Sequence, residues 1–185
     1  DKSAVGCRKG RSAQDAMEYI FNLLSRKKSP QWILEGDIKG CFDNISHKWM
    51  LNNITTDKRI MRQFLKCGYI DRKKLFPTEK GSPQGGLISP TYANLTLDGL
   101  EDLLQKEYST SSTGHYNANY NKHKVHLCRY ADDFIITSDS EEVLREVKIL
   151  VESFMETRGL KLSEEKTVIT NINAGFDFLG WNFNS

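Results

Sequence analysis

Three acidic residues have the types and spacing for metal-assisted chemistry. Asp132 and Asp133 are adjacent and lie between two short apolar runs, 125–128 and 134–137. Runs of this length, rich in β-branched and aromatic residues, predict two strands with the acidic pair in the turn between them. Asp37 ends another apolar run, which also predicts a strand. Because successive residues of a strand point to opposite faces, we expect only one carboxylate of the acidic pair to lead into a shared site.

These acids suit phosphoryl-transfer chemistry if the strand that ends at Asp37 lies beside the hairpin, because Asp37 and Asp132 can then share one site. Magnesium prefers carboxylate oxygens together with substrate phosphates. Two such ions about 3.5–4 Å apart clamp the attacking and leaving oxygens of an in-line displacement. Without the metals, clustered carboxylates repel and one tends to stay protonated. The alternative is a hairpin turn that contains Asp only because Asp favours turns.

Length and composition indicate a soluble protein of one domain, or of two small lobes. The chain has 185 residues, of which 38% are hydrophobic and 27% are charged. No apolar run reaches membrane-spanning length, and no secretory signal opens the chain. The isolated cysteines Cys7, Cys41, Cys67 and Cys128 lack paired zinc spacing. We therefore expect a reduced, intracellular compartment.

The net charge of +2 does not by itself indicate a nucleic-acid partner. The basic residues are nevertheless clustered, at 8–11, 26–28, 58–62 and 72–74. Such patches are most often solvated surface. Beside an acidic metal site, they are also what a phosphate backbone requires.

The first half of the chain predicts helices on either side of the Asp37 strand. Ser12 begins a helix, with Asp15 as its capping-box partner. Helical spacing predicts that its buried face is formed by Met17, Ile20, Phe21 and Leu24. A second helix is predicted over 46–53, and Asp57 caps a third. The inward positions of this third helix are predicted to be Ile60, Met61, Phe64 and Leu65. Residues 70–80 are predicted to form an exposed connecting segment.

The second half predicts two more helices and the remaining strands. A long helix is predicted from Ser89, with a core stripe formed by Ala93, Leu97, Leu100 and Leu104. The polar segment 109–124 is predicted to be a surface loop. Another amphipathic helix starts after Ser140, and two strands, 168–172 and 176–180, are predicted to form a terminal hairpin. This order favours a mostly antiparallel sheet with helices on one face, which is an α+β fold.

Three motifs in sequence resemble a reverse transcriptase. They are Tyr130-Ala131-Asp132-Asp133, the segment from Asp37 to Phe42, and Gly81-Ser82-Pro83-Gln84-Gly85-Gly86. The longer segment 81–100 is most similar to the group II intron-encoded maturase branch. The resemblance extends through almost the whole chain. It implies a polymerase-type palm with an antiparallel sheet and packed helices, together with part of the fingers.

The resemblance also implies a domain division. Residues 1–30 correspond to partial fingers, and residues 31–185 to the palm, with an inserted fingers segment around 55–80. We expect the N-terminal extension and the thumb of the family to be absent from this chain.

The resemblance gives the acids a catalytic role. Asp37, Asp132 and Asp133 are the implied catalytic residues, and with the Ile38 carbonyl they are the implied metal ligands. The implied cofactor is a pair of Mg²⁺ ions, for which Mn²⁺ is a possible substitute.

Substrate-binding residues are implied in the same way. The nucleotide-binding candidates are Arg8, Lys9, Arg11, Phe42, Gln84, Gly85 and Lys166. Phe42 would lie against the sugar and exclude a 2′-hydroxyl; the alternative is a core phenylalanine. The primer-grip candidates are Phe178, Leu179, Gly180 and Trp181, whose aromatic rings could also belong to the core.

The implied function is RNA-directed DNA polymerase activity in a group II intron-encoded protein that also aids splicing and mobility. Its expected partners are an RNA template, intron RNA, a DNA primer and deoxynucleoside triphosphates, without a membrane. A homodimer is possible but has no support in the sequence. The expected location is the bacterial cytoplasm or an organelle.

Three alternatives remain open at this point. The chain could be an RNA-binding splicing maturase domain with little polymerase activity. It could be a reverse transcriptase of the retron or diversity-generating type. An RNA-dependent RNA polymerase is a third, because Asp43 lies near the position of a second acid in such enzymes.

Overall fold

The computed structural model describes residues 12–26, 28–66, 69–71, 74–76, 89–111 and 113–183. The described helices are α1 (Ala13–Leu24), α2 (Cys41–Asn44), α3 (His47–Asn53), α4 (Lys58–Lys66), α5 (Ser89–Leu97), α6 (Leu100–Tyr108) and α7 (Glu141–Glu156). The described strands are β1 (Trp32–Asp37), β2 (Tyr69–Asp71), β3 (Lys74–Phe76), β4 (His126–Tyr130), β5 (Asp133–Ser138), β6 (Val168–Asn171), β7 (Phe176–Phe178) and β8 (Trp181–Phe183). None of these helices has both the length and the apolar character needed to cross a bilayer.

The central feature is a four-stranded antiparallel sheet in the order β4-β5-β1-β6. Strand β1 is an inner strand, with β5 on one side and β6 on the other. The predicted hairpin is therefore confirmed as β4–β5, and it lies beside the predicted Asp37 strand. The α+β class with an antiparallel sheet is also confirmed.

Each face of the sheet has its own hydrophobic cluster. On the first face, Leu34 and Ile136 pack with buried residues of α3, α4, α5, α6 and α7. On the second face, Ile33 and Ile135 pack with α1 and with β7. The expectation that helices cover one face only was wrong, because Cys128 on β4 contacts Ala16 on α1, with Sγ 3.8 Å from the carbonyl oxygen.

Helix α1 begins as predicted, but its buried face differs. The Ser12 side chain accepts a hydrogen bond from the Asp15 amide, and Asp15 accepts one from the Ser12 amide. Ile20 is fully buried, whereas Phe21 is 64% exposed. A step of one residue rotates a side chain by about 100°, which turns Phe21 away from β4. For the same reason Ile60 is exposed on α4, while its neighbour Met61 is buried.

Three sequence-based element predictions need correction. The long helix from Ser89 is divided into α5 and α6 at Gly99, whose φ is +94°. The segment predicted as a connection contains the β2–β3 hairpin. The last strands do not pair with one another: β6 joins the main sheet beside β1, and β7 pairs with β8.

Arg158 links three helices on the first face. Its Nε donates to the Thr96 carbonyl of α5 at 2.8 Å, and its Nη1 donates to the Phe154 carbonyl of α7 at 3.0 Å. The guanidinium also lies 4.6 Å from the centre of the Trp49 ring of α3. Burial lowers the pKa of Arg158 to about 10, so the group stays charged at neutral pH. Cations at helix C-terminal carbonyls stabilise those ends.

The register between β1 and β5 is marked by a glycine under an aromatic ring. Gly36 pairs with Phe134, and the Phe134 ring covers the glycine so closely that an added Cβ would lie 2.1 Å from its Cζ atom. Such aromatic cover of a strand glycine fixes the alignment of neighbouring strands. The next pair in this register is Asp37 and Asp133.

Candidate active site

Asp37 and Asp133 lie directly opposite each other on neighbouring antiparallel strands. The Asp37 carbonyl accepts a hydrogen bond from the Ser163 amide at 2.8 Å, on the side away from β5. The Asp37–Asp133 pair is therefore of the non-hydrogen-bonded kind, in which facing side chains are closest, with Cα atoms about 4.5 Å apart. By strand alternation both carboxylates lie on the second face of the sheet, with Ile33 and Ile135.

Asp132 lies in the turn that joins β4 to β5. Tyr130 pairs with Asp133, so Ala131 and Asp132 form a two-residue turn. Asp133, rather than Asp132, is the member of the acidic pair that faces Asp37. Asp132 is nevertheless close, because its charge is, after partial burial, the next cause that raises the pKa of Asp133. The structure thus brings together all three acids that the sequence singled out.

The negative charges of the three carboxylates repel one another. Partial burial, followed by the negative charges of Asp132 and Asp37, raises the pKa of Asp133, and a hydrogen bond with the Asp37 side chain acts in the same direction. The Lys166 charge opposes this rise. Its Nζ lies 3.5 Å from Asp37 Oδ2, although the lysine side chain is 69% exposed. An additional cation would relieve the remaining repulsion.

The backbone at Ile38 offers a neutral oxygen near the same acids. Ile38 forms an isolated bridge with Leu162, and the hydrogen bonds that flank this bridge are made by Asp37 and Lys39. In an antiparallel pair of this type, the carbonyl of the paired residue points to the opposite side. The Ile38 carbonyl is therefore directed toward the β5 side of β1, where the acidic turn lies.

The side chains do not form a ready coordination sphere as they stand. Within the described residues, no group of three or more His, Cys, Asp or Glu side chains is arranged to hold a metal ion. The donor chemistry is nevertheless suitable, since carboxylate oxygens are the ligands that Mg²⁺ and Mn²⁺ prefer.

The remaining nucleotide-binding candidates are only partly covered by the structure. The candidates outside the described residues are Arg8, Lys9, Arg11, Gln84 and Gly85. The Phe42 backbone lies in α2, which follows β1 after a short turn. Lys166 is the nucleotide-binding candidate that the structure places directly beside an acid of the site.

The primer-grip candidates form the tip of the β7–β8 hairpin. Phe178 pairs with Trp181, and the two turn residues Leu179 and Gly180 both have positive φ, at +52° and +79°. This is the pattern of a type I′ turn, which suits the strand twist of a two-residue hairpin. Phe178 is 5% exposed and belongs to the hydrophobic cluster on the second face of the sheet (the second cluster), whereas Trp181 is 59% exposed. The structure therefore separates a core ring from a surface ring.

Sequence reasoning missed two charged residues of the sheet. Glu35 lies two positions before Asp37 on the same face, and partial burial, followed by the Asp177 charge, raises its pKa. Arg129 precedes the acidic turn on β4 and is 1% exposed. Both were visible in the sequence as charged residues inside otherwise apolar strands, a pattern that indicates a specific partner.

The family model of the reverse transcriptases, or RNA-dependent DNA polymerases, matches residues 1–183. The chain belongs to the reverse transcriptase family. This confirms the resemblance that the motifs indicated.

Curated relatives of this reverse transcriptase domain include a group II intron-encoded protein. The chain is 30% identical to the group II intron-encoded protein LtrA of Lactococcus lactis subsp. cremoris, in an alignment covering 95% of this chain and 38% of that protein. It is 29% identical to the protein YkfC of Escherichia coli, with 81% of this chain and 46% of that protein aligned. The chain thus spans less than half the length of these relatives.

Solved structures of telomerase share the fold of this reverse transcriptase domain. A telomerase from Candida albicans, in complex with a fragment of telomeric RNA, matches with a TM-score of 0.68 at 17% identity, over 100% of this chain and 34% of that chain. An apo telomerase from Candida tropicalis matches with a TM-score of 0.67 at 16% identity, over 99% of this chain and 36% of that chain. This likeness confirms the palm-and-fingers type of fold.

The geometry of the acidic pair predicts a gain in stability when Asp133 loses its charge. Because the folded-state pKa of Asp133 lies above its ordinary value of 3.8, its ionisation destabilises the fold. In metal-free buffer at neutral pH, Asp133→Asn should raise the free energy of unfolding by a few tenths to about 1 kcal/mol. The gain should disappear as the pH falls through the raised pKa to that ordinary value. Urea unfolding of both proteins from about pH 4 to about pH 7 measures it.

Asp139→Asn provides the matched control for this stability measurement. Asp139 follows the far end of β5, is exposed, and lies beside His123 with 3.3 Å between Oδ1 and Nδ1. This variant should bring no gain in stability. If the free energy of unfolding of Asp133→Asn changes no more favourably than that of Asp139→Asn, the facing charges do not destabilise the fold.

Proposed function

We propose that this domain catalyses RNA-directed DNA synthesis within a group II intron-type protein. The observation that carries the proposal is the placement of Asp37 opposite Asp133, with Asp132 in the adjoining turn. Neighbouring carboxylates that lower each other's tendency to ionise are typical of sites that hold cations or move protons. Membership of the reverse transcriptase family favours the first role.

Divalent metal ions fit the donor set of this site. Asp37, Asp132 and Asp133, together with the Ile38 carbonyl, would hold two Mg²⁺ ions, and Mn²⁺ would be a substitute. When bound, such ions lower the pKa of a primer 3′-hydroxyl and neutralise charge that develops on the phosphates. The support is the shared face of Asp37 and Asp133 and the raised pKa of Asp133, which partial burial and then the neighbouring negative charges cause.

The protein's own residues bind and orient the substrates around these acids. Lys166 would turn from Asp37 toward the phosphates of the incoming nucleotide, because its side chain is mostly exposed and its charge suits them. Phe42 would pack against the sugar. The other residues that we assign to nucleotide binding are Arg8, Lys9, Arg11, Gln84 and Gly85.

The β7–β8 hairpin would hold the primer end. Trp181 offers an exposed ring for such a contact, while the buried Phe178 anchors the hairpin to the second cluster. Leu179 and Gly180 would bring the turn backbone near the primer. The glycine permits this approach because it has no side chain.

We also propose the domain division that the sequence suggested. Residues 1–30 would contribute to the fingers, and residues 31–185 to the palm, with a fingers insertion around 55–80. The β2–β3 hairpin within that insertion pairs apart from the main sheet, which supports a separate role. The proposed partners are an RNA template, a DNA primer, deoxynucleoside triphosphates and intron RNA, and the proposed wider role of the natural protein includes splicing and mobility of the intron.

Substitution of the acids tests the proposed reaction. In the full-length natural protein, Asp37→Asn and Asp133→Asn should each lower the rate of primer extension on an RNA template with Mg²⁺ by about a thousandfold or more. The loss is expected because charge stabilisation in such sites supplies several kcal/mol of the barrier reduction. Single-turnover extension with saturating primer-template measures the effect.

Asp139→Asn serves again as the control and should extend at the rate of the unmodified protein. Near-normal extension by both active-site variants would reject the proposed function. Binding of intron RNA by an unmodified protein that extends no primer would favour the alternative of a splicing factor.

Phe42 provides a second test, which separates synthesis of DNA from synthesis of RNA. Phe42→Val should increase incorporation of ribonucleotides relative to deoxynucleotides by about tenfold or more, because a smaller side chain leaves room for the 2′-hydroxyl. The measurement compares kcat/KM for one base in both sugar forms. Unchanged selectivity would remove Phe42 from the sugar site, and a preference for ribonucleotides in the unmodified protein would indicate an RNA polymerase.

A further inference from the structure

A fully buried arginine lies directly before the acidic turn. Arg129 is the second-last residue of β4, and only 1% of its surface is exposed. It shares the first face of the sheet with Leu127, which belongs to the large hydrophobic cluster there. Removing a guanidinium from water is costly unless its donors are used in specific hydrogen bonds. The hydrogen-bond partners of Arg129 therefore indicate the role of the buried guanidinium.

Its guanidinium connects the acidic turn to a helix. Nη1 of Arg129 donates to the Ala131 carbonyl at 3.0 Å and to Asn94 Oδ1 at 2.9 Å. Ala131 is the first residue of the turn, and Asn94 lies on α5. In sequence, α5 follows the glycine-rich segment that contains Gln84 and Gly85. One buried side chain thus links the turn of the acids to the helix that follows the other nucleotide-binding motif.

The turn needs such support because of its backbone geometry. Ala131 has a φ of +55°, whereas Asp132 is not among the residues with positive φ. Positive φ at the first turn residue alone is the type II′ pattern, which ordinarily has glycine at that position. An L-residue is sterically disfavoured there. The hydrogen bond from Arg129 holds the peptide group between Ala131 and Asp132, and with it the backbone of Asp132.

We propose that Arg129 is a positioning residue that fixes the acidic turn in the orientation required for metal binding. It does so through the Ala131 carbonyl, with Asn94 holding the guanidinium in place. The role assigned to the metals here rests on the proposed polymerase function, whereas the effect of Arg129 on the turn does not. Arg129 itself would not contact substrate, because it lies on the opposite face of the sheet from Asp37 and Asp133.

A role confined to general stability would predict a different outcome. Arg158 is the suitable comparison, since it also lies on the first face and also bonds a helix carbonyl, that of Thr96 at 2.8 Å. Its hydrogen bonds go to helix ends and to Thr157, not to the acidic turn. Removal of either arginine should destabilise the fold, but only removal of Arg129 should loosen the turn.

The test compares Arg129→Met, Arg129→Lys and Asn94→Ala with Arg158→Met in the full-length natural protein. The first readout is hydrogen exchange of the amides of 130–134. The second is the Mg²⁺ concentration that gives half-maximal primer extension. Asn94→Ala keeps the buried charge and is included because Arg129→Met itself could fail to fold.

Arg129→Met should accelerate turn exchange and raise the half-saturating Mg²⁺ concentration, each by about tenfold, as expected for loss of a hydrogen bond to a charged donor. Arg129→Lys should partly restore slow turn exchange and the low half-saturating Mg²⁺ concentration. The ammonium keeps the positive charge but lacks the planar arrangement of guanidinium N–H donors. Asn94→Ala should change both in the same direction by a smaller factor. Arg158→Met should leave both unchanged within about twofold.

Equal effects of Arg129→Met and Arg158→Met on turn exchange, or no effect of Arg129→Met and Asn94→Ala, would overturn the proposal. The exchange measurement does not depend on catalysis. If Asp37→Asn and Asp133→Asn leave extension intact, the polymerase function fails while turn exchange still decides the role of Arg129.

Discussion

The structure depends on holding two like charges face to face. Asp37 and Asp133 occupy a non-hydrogen-bonded pair of β1 and β5, a position where like charges destabilise a sheet. The pair persists because surrounding contacts fix the register. The Phe134 ring covers Gly36 one step earlier, and Ser163 holds the Asp37 carbonyl on the other side of the strand. In the proposed function, a bound cation would relieve this repulsion, which otherwise destabilises the protein.

The two faces of the sheet have different roles. The first face is packed against α3 to α7, where Arg129 and Arg158 donate hydrogen bonds to backbone carbonyls and to side chains. The second face carries the acids, and its cluster joins α1 to β7. The packed first face thus supports the face on which chemistry is proposed. Such a site is expected to trade stability for function.

Local patterns predicted the strands, the hairpin and the joint position of the acids, because alternation and turn chemistry are short-range signals. These patterns could not predict the tertiary contacts. Phe21 fits the helical period but faces away from the sheet that α1 covers. Pairing of β6 with β1 depends on a contact far along the chain. Likewise, strand alternation did not reveal which acid of the turn faces Asp37, since that depends on the β1–β5 register.

Diffraction from crystals of the natural protein grown with Mn²⁺, recorded at the manganese absorption edge, tests most directly whether the three acids hold a divalent cation. Anomalous density is expected beside the acidic turn, with carboxylate oxygens of Asp37 and of Asp132 or Asp133 about 2.1 Å from the ion. Density at other side chains, with none between β1 and the β4–β5 turn, would contradict this expectation.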